Sequence, residues 1–71
     1  MLPLLMSQTG DEVKVARVSG RPDVKKHLED LGFVEGTPLE VVQAQDGNMI
    51  VRIRNSKLAI TKEMAEKIMV M

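Results

Sequence analysis

The chain has no cysteine, tryptophan or tyrosine, a single phenylalanine, Phe33, and a single histidine, His27. Each shortage removes a class of chemistry. Without cysteine there is no disulfide, no thiolate metal site and no cysteine nucleophile. With one aromatic ring the chain cannot build the stacking platform of a single-strand nucleic-acid binder or of a polyproline reader. An excess of one charge is also missing. Ten basic residues balance ten acidic ones, which leaves no electrostatic case for nucleic acid or an anionic membrane surface as partner. The apolar run Leu4-Leu5-Met6 is far too short to cross a bilayer or to form the apolar part of a signal peptide. No direct membrane insertion and a cytoplasmic location are therefore expected. There are no repeats, no low-complexity segment, no phosphate-binding loop, and no Ser-His-Asp or paired-carboxylate arrangement with a supporting context. No catalytic residue, cofactor-binding residue or metal ligand is assigned, and an enzyme is not expected.

What is present fits one small domain, residues 1–71, with a modest core. Residues 1–8 show no clear period. They read either as a frayed tail or as a cap in which Leu4 and Leu5 dock on the core. Thr9-Gly10-Asp11 is a turn. Glu12 to Val18 alternates as a strand, with Val13, Val15 and Arg17 on one face or Ala16 and Val18 on the other. After Ser19-Gly20-Arg21 a helix opens at Pro22 and Asp23, where proline has no N–H to lose and an acidic residue complements the helix dipole. Val24, Leu28 and Leu31 share one helical face. Gly32 can adopt the left-handed conformation that ends a helix, and Phe33 would then fold back onto Leu28. Glu35-Gly36-Thr37-Pro38 turns the chain into the next strand.

Burial decides the register of that strand. Leu39 and Val41 share a face, and so do Val51 and Ile53. A two-residue Asp46-Gly47 turn would pair Glu40 with Ile53 and push a carboxylate into the core, at a cost of several kcal/mol. A three-residue loop, Gln45-Asp46-Gly47, with Gly47 left-handed, restores the parity. It pairs Val41 with Val51 and Leu39 with Ile53 inside, and Glu40 with Arg52 and Val42 with Ile50 outside. An Asn55-Ser56 turn then pairs Ile53 with Leu58 and Val51 with Ile60, leaving Lys57 and Ala59 outward. Thr61 caps a short helix with Glu63 in its first turn and Met64, Ala65 and Ile68 on its inner face. Ile68 to Met71 returns as a last strand beside the first. The sum is a mainly β fold, a small SH3-like barrel of about five strands with one crossover helix and a helical turn near the C-terminus.

These segments, in this order, resemble the FeoA family, the small cytosolic proteins of bacterial ferrous iron transport. The same domain is found at the C-terminus of metal-dependent repressors of the DtxR type. The resemblance is carried by Leu31-Gly32-Phe33, Gly36, Leu39 to Val41, Val51 to Arg54, Leu58-Ala59-Ile60, Ala65, Ile68 and Val70, and covers Asp11 to Val70. Two positions depart from the family pattern. Asn55 stands where glycine is usual, and the N-terminal Leu-x-x-Leu segment is reduced to Leu2 and Leu5. The resemblance implies a non-catalytic accessory that partners FeoB, a membrane transporter with a cytosolic GTP-binding domain. The alternative it implies is the SH3-like domain of a metal-dependent transcriptional repressor. No DNA-binding helix-turn-helix precedes the barrel in this sequence, which favours the adaptor. A third reading is a module that only self-associates, so a homo-oligomer stays open.

The tempting side chains have plain explanations. His27 flanks the buried helical stripe, and a transition-metal site wants several converging ligands. Lys25, Lys26, Glu29 and Asp30 form a solvated helix face. Met64 and Met49 read as core, Met69 and Met71 as exposed. The outer hairpin face is more informative. Val42 and Ile50 have no core left to enter, and Glu40, Arg52 and Arg54 flank them. An apolar pair beside arginine is the nucleus of a partner interface.

Overall fold

A six-stranded antiparallel sheet curls around the core in the computed structural model, which describes residues 1–45 and 48–71. In chain order the elements are β1 (Leu2–Pro3), a 3-10 turn (Leu4–Met6), β2 (Glu12–Val18), α1 (Pro22–Asp30), β3 (Pro38–Gln45), β4 (Asn48–Ile53), β5 (Ser56–Ile60), α2 (Lys62–Lys67) and β6 (Ile68–Val70). The strands lie side by side as β1-β6-β2-β3-β4-β5. This is the SH3-like arrangement expected, with β6 returning beside β2. One strand more is present, because Leu2 and Pro3 pair with Val70 and Met69. The outermost strands, β1 and β5, are not paired with each other, so the hydrogen-bonded ring stays open.

The N-terminal segment is a cap. Leu4 is fully buried and Leu5 packs against the core from its edge. The 3-10 turn aims Leu4 inward, a position that no simple period reveals.

α1 ends as its residues require. Gly32 has φ 111°. The Gly32 N–H donates to the Glu29 carbonyl at 2.9 Å and the Phe33 N–H to the Leu28 carbonyl at 3.0 Å. These two bonds are the Schellman pair that satisfies the last carbonyls of a helix. Phe33 and Leu28 are both fully buried in one cluster with Leu39, Val41, Val51 and Ile53. α2 is capped by Thr61, whose hydroxyl accepts from the Met64 N–H at 3.3 Å.

Three registers differ in detail from expectation, each while keeping the same residues inside. In β2, a bulge lies between Val15 and Arg17. It lets Val13, Val15 and Val18 all face the core and turns Arg17 out. Strict alternation could not choose between the two faces because the strand uses both. In β3, Leu39, Glu40 and Val41 pair with Ile53, Arg52 and Val51 as expected. The strand then bulges at Val42, so Ile50 stands opposite Gln43, not Val42, and Gln45 pairs with Asn48. The bulge supplies the extra residue that a three-residue loop was expected to supply. Gln45 is thus part of the strand, and the expected conformation of Gly47 lies outside the described residues. Neighbouring backbone holds this stretch. The Gly10 N–H donates to the Val41 carbonyl and the Val41 N–H to the Asp11 carbonyl, both at 2.8 Å. The Ala44 N–H donates to the Thr9 hydroxyl at 3.1 Å.

The β4–β5 turn is the third correction. Its central residues are Arg54 and Asn55, not Asn55 and Ser56, at φ 52° and 65°. Two consecutive positive φ values are the signature of a hairpin turn that matches the twist of the strands. The shift moves the pairing by two residues, to Val51 with Leu58 and Met49 with Ile60. Lys57 and Ala59 stay outward and exposed.

Candidate functional site

The alternation that buries Leu39, Val41, Met49, Val51 and Ile60 leaves the opposite face of β3, β4 and β5 to solvent. Helix α2 packs on the other side, against the 3-10 turn and the flanking strands. The outer face is therefore an uncovered surface of the described residues.

Glu40 and Arg52 stand opposite each other there, and the Arg52 guanidinium donates to Glu40 Oε1 at 3.0 Å. Both side chains remain nearly half exposed, so water screens the pair. Ile50 sits between Gln43 on β3 and Ala59 on β5. With these two residues, Ile60 and Thr61 it lines an open groove of about 420 Å³. Val42, at the bulge, is half-buried. Neither Val42 nor Ile50 belongs to the hydrophobics packed against the core.

The five residues expected to form the interface are thus not one continuous patch. Glu40, Ile50 and Arg52 share the face, and Val42 reaches it through the bulge. Arg54 leaves it. β4 ends at Ile53, and the Arg54 side chain lies beside Gly32 at the end of α1, close enough that a β-carbon on Gly32 would be 3.4 Å from Arg54 Cδ. Sequence reasoning placed Lys57 and Ala59 outward without counting them in the site. Their pairing with Arg52 and Ile50 makes them part of it. The missing signal was turn chemistry: only the choice of Arg54-Asn55 as central pair decides which β5 residue faces Ile50.

His27 is exposed on α1. Among the described residues no three His, Cys, Asp or Glu side chains converge as a metal site. No helix among them is long and apolar enough to cross a membrane. Another shallow hollow is lined by Arg17 and Val18 of β2, Lys25 and Glu29 of α1, and Phe33 and Val34.

Comparison with known proteins covers nearly the whole chain. A model of the FeoA domain family matches residues 2–71. A proposed Fe(2+) transport protein A of Methanocaldococcus jannaschii is 33% identical over 70 residues, which span 99% of this chain and 85% of that protein. The solution structure of a FeoA protein from Chlorobium tepidum superposes with a TM-score of 0.83 at 29% identity, over 97% of this chain and 68% of that one. The crystal structure of an iron uptake regulatory protein, FeoA, shares the fold at a TM-score of 0.91 and 24% identity, over 97% of this chain and 93% of the other. A manganese-dependent transcriptional repressor shares it too, with a TM-score of 0.89 at 23% identity, but this chain spans only 35% of that repressor.

Proposed function

We infer the function from kinship and surface together: the chain belongs to the FeoA family, the ferrous iron transport proteins A. We propose that it works as a cytoplasmic, non-catalytic adaptor that binds an FeoB-like membrane transporter through the outer face of β3, β4 and β5. The observation that supports the surface is the position of Ile50. It is a large apolar side chain held away from the core, beside Ala59 and within reach of the Glu40–Arg52 pair. Ile50 is already half-buried, so a partner that covers it gains part of the roughly 1.5–3 kcal/mol that burying a fully exposed isoleucine is worth. Arginine next to an apolar anchor is the composition of an energetic centre in an interface. Among the described residues no three His, Cys, Asp or Glu side chains gather on the face as a metal cluster, and an apolar side chain beside an ion pair suits recognition.

The test is a titration of the transporter's cytosolic region with the folded Ile50→Glu variant. The substitution puts a charge where water already reaches, so the fold should persist while association weakens at least tenfold, about 1.4 kcal/mol. Wild-type affinity would move the interface elsewhere, with the exposed Lys25, Lys26 and Glu29 face of α1 next in line.

The alternative is the SH3-like domain of a metal-dependent repressor. The likeness to the manganese-dependent repressor supports it as a fold. The relative at 33% identity, matched over most of its own length, favours the transport reading.

A further inference from the structure

Four charged residues stand in one line across the outer face. Glu12 on β2 is opposite Glu40 on β3, Glu40 is opposite Arg52 on β4, and Arg52 is opposite Lys57 on β5. Only the middle step joins opposite charges. There the Arg52 guanidinium turns toward Glu40 and bonds it at 3.0 Å. Like charges directly opposite across a ladder are unfavourable. Lys57 is therefore set against a like charge, exposed, and has no carboxylate within 4.0 Å among the described residues.

Beyond Lys57 the sheet stops. β5 pairs with β4 alone, and no backbone group of Ser56 to Ile60 bonds any other part of the described chain. The pairing to β4 runs through all five residues without a bulge, and the strand contains no proline. Edges are usually blunted by short length, bulges, proline, an inward charge or a charged side chain, lysine above all. This one has only an outward lysine. It offers a straight row of backbone donors and acceptors, with Leu58 half-buried on the inner side and Ala59 beside Ile50 on the outer side.

We propose that the free edge of β5 receives an extended segment of a partner protein as a further strand, with an aspartate or glutamate opposite Lys57. Charge selects this occupant. A carboxylate there completes the row, placing a negative charge next to the one cation it leaves unpaired. The residue opposite Ala59 would be apolar, since it stands on the same face two positions along and reaches the groove that Ile50 lines. A second copy of this chain fits poorly. β5 against β5 brings two Arg52–Lys57 steps together and supplies no carboxylate.

The proposal deepens, and rests on, the reading of this face as a partner surface. It is tested with the labelled full chain and two capped peptides, Thr-Val-Val-Glu-Val-Val-Thr and its counterpart with lysine in place of glutamate. The acidic peptide should shift the amides of Ser56 to Ile60 and bind at least about tenfold more tightly than the basic one. Lys57→Glu should reverse that preference, and Lys57→Arg should keep it. An edge lysine that served only to repel other strands would show neither reversal nor preference. Equal binding of the two peptides, shifts confined to other elements, or no shift at millimolar peptide would overturn the proposal. A parallel titration with the transporter's cytosolic region separates it from the function above. Binding lost in Ile50→Glu but kept in Lys57→Glu would sink the edge proposal and spare the adaptor reading. Acidic-peptide docking on β5 without any transporter binding would do the reverse.

Discussion

The corner where α1 ends and the outer face of β3, β4 and β5 are built on opposite terms. At the corner, Leu28 and Phe33 are fully buried, a glycine holds a conformation other residues avoid, and two backbone bonds lock the reversal. On the outer face the side chains are exposed or half-exposed, and the Glu40–Arg52 ion pair there is screened by water. Stability should therefore concentrate at the corner and recognition on the face. A domain this small has only a few kcal/mol in hand, so the two regions should answer very differently to substitution.

The largest effect is expected from Leu28→Ala. It removes a fully buried side chain from the core cluster and leaves a cavity in it. The cost should be about 2–5 kcal/mol. Urea unfolding followed by far-UV circular dichroism measures it, and a midpoint equal to wild type would show that the corner does not carry the fold.

Next comes Gly32→Ala. The added β-carbon meets Arg54 Cδ at 3.4 Å, an ordinary contact with a flexible side chain. Space is therefore not the obstacle. The φ of 111° is, and a left-handed backbone at a residue with a β-carbon costs about 1–2 kcal/mol. A loss under half of that would mean that the helix end relaxes to another stop, and hydrogen exchange at Phe33 would report it.

The two regions also differed in how far residues alone disclose them. The corner was legible because helix period, proline, glycine and aromatic all act within twelve positions of chain, 22 to 33, and each signal is local. The face was legible only as a set. Burial of Leu39, Val41, Val51 and Ile53 dictates which residues point inward, and the structure keeps that set. It does not dictate how the chain makes up an odd residue. A bulge at Val42 and a longer loop satisfy the same parity, and the contacts that hold the bulged stretch, from the Thr9 hydroxyl and the backbone of Gly10 and Asp11, come from far along the chain. The same holds for β5. A shift of two residues preserves every inward side chain, so hydrophobic pattern is blind to it, and turn chemistry at Arg54-Asn55 decides. That is why Lys57 could be placed outward but not placed opposite Arg52. The N-terminal cap stayed one of two readings because a short 3-10 turn buries Leu4 without any period.

Asn55→Gly sharpens the turn assignment. Asn55 holds φ 65°, which asparagine tolerates and glycine adopts freely. The variant should be stabilised by up to about 1 kcal/mol, since this position of such a turn favours glycine. A turn centred on Asn55-Ser56 would instead make Ser56→Gly the better of the two, so thermal melts of both variants decide between the registers.

The smallest effect is expected at the cross-strand ion pair. The Glu40–Arg52 bond is short at 3.0 Å, yet the two side chains are 43% and 49% exposed. In water the Coulomb gain of such a pair is offset by the cost of holding two long side chains still. A double-mutant cycle with Glu40→Ala, Arg52→Ala and the pair should give a coupling of about 0.2–1 kcal/mol, smaller again in high salt. Lys57 refines the expectation. Because it stands opposite Arg52, Lys57→Ala relieves a like-charge contact and should leave the chain as stable as wild type or slightly more so, by a few tenths of a kcal/mol. A coupling well above about 1 kcal/mol, or a clear loss of stability in Lys57→Ala, would mean that the outer face holds the fold as the corner does. The division between a stabilising corner and a recognising face would then fail.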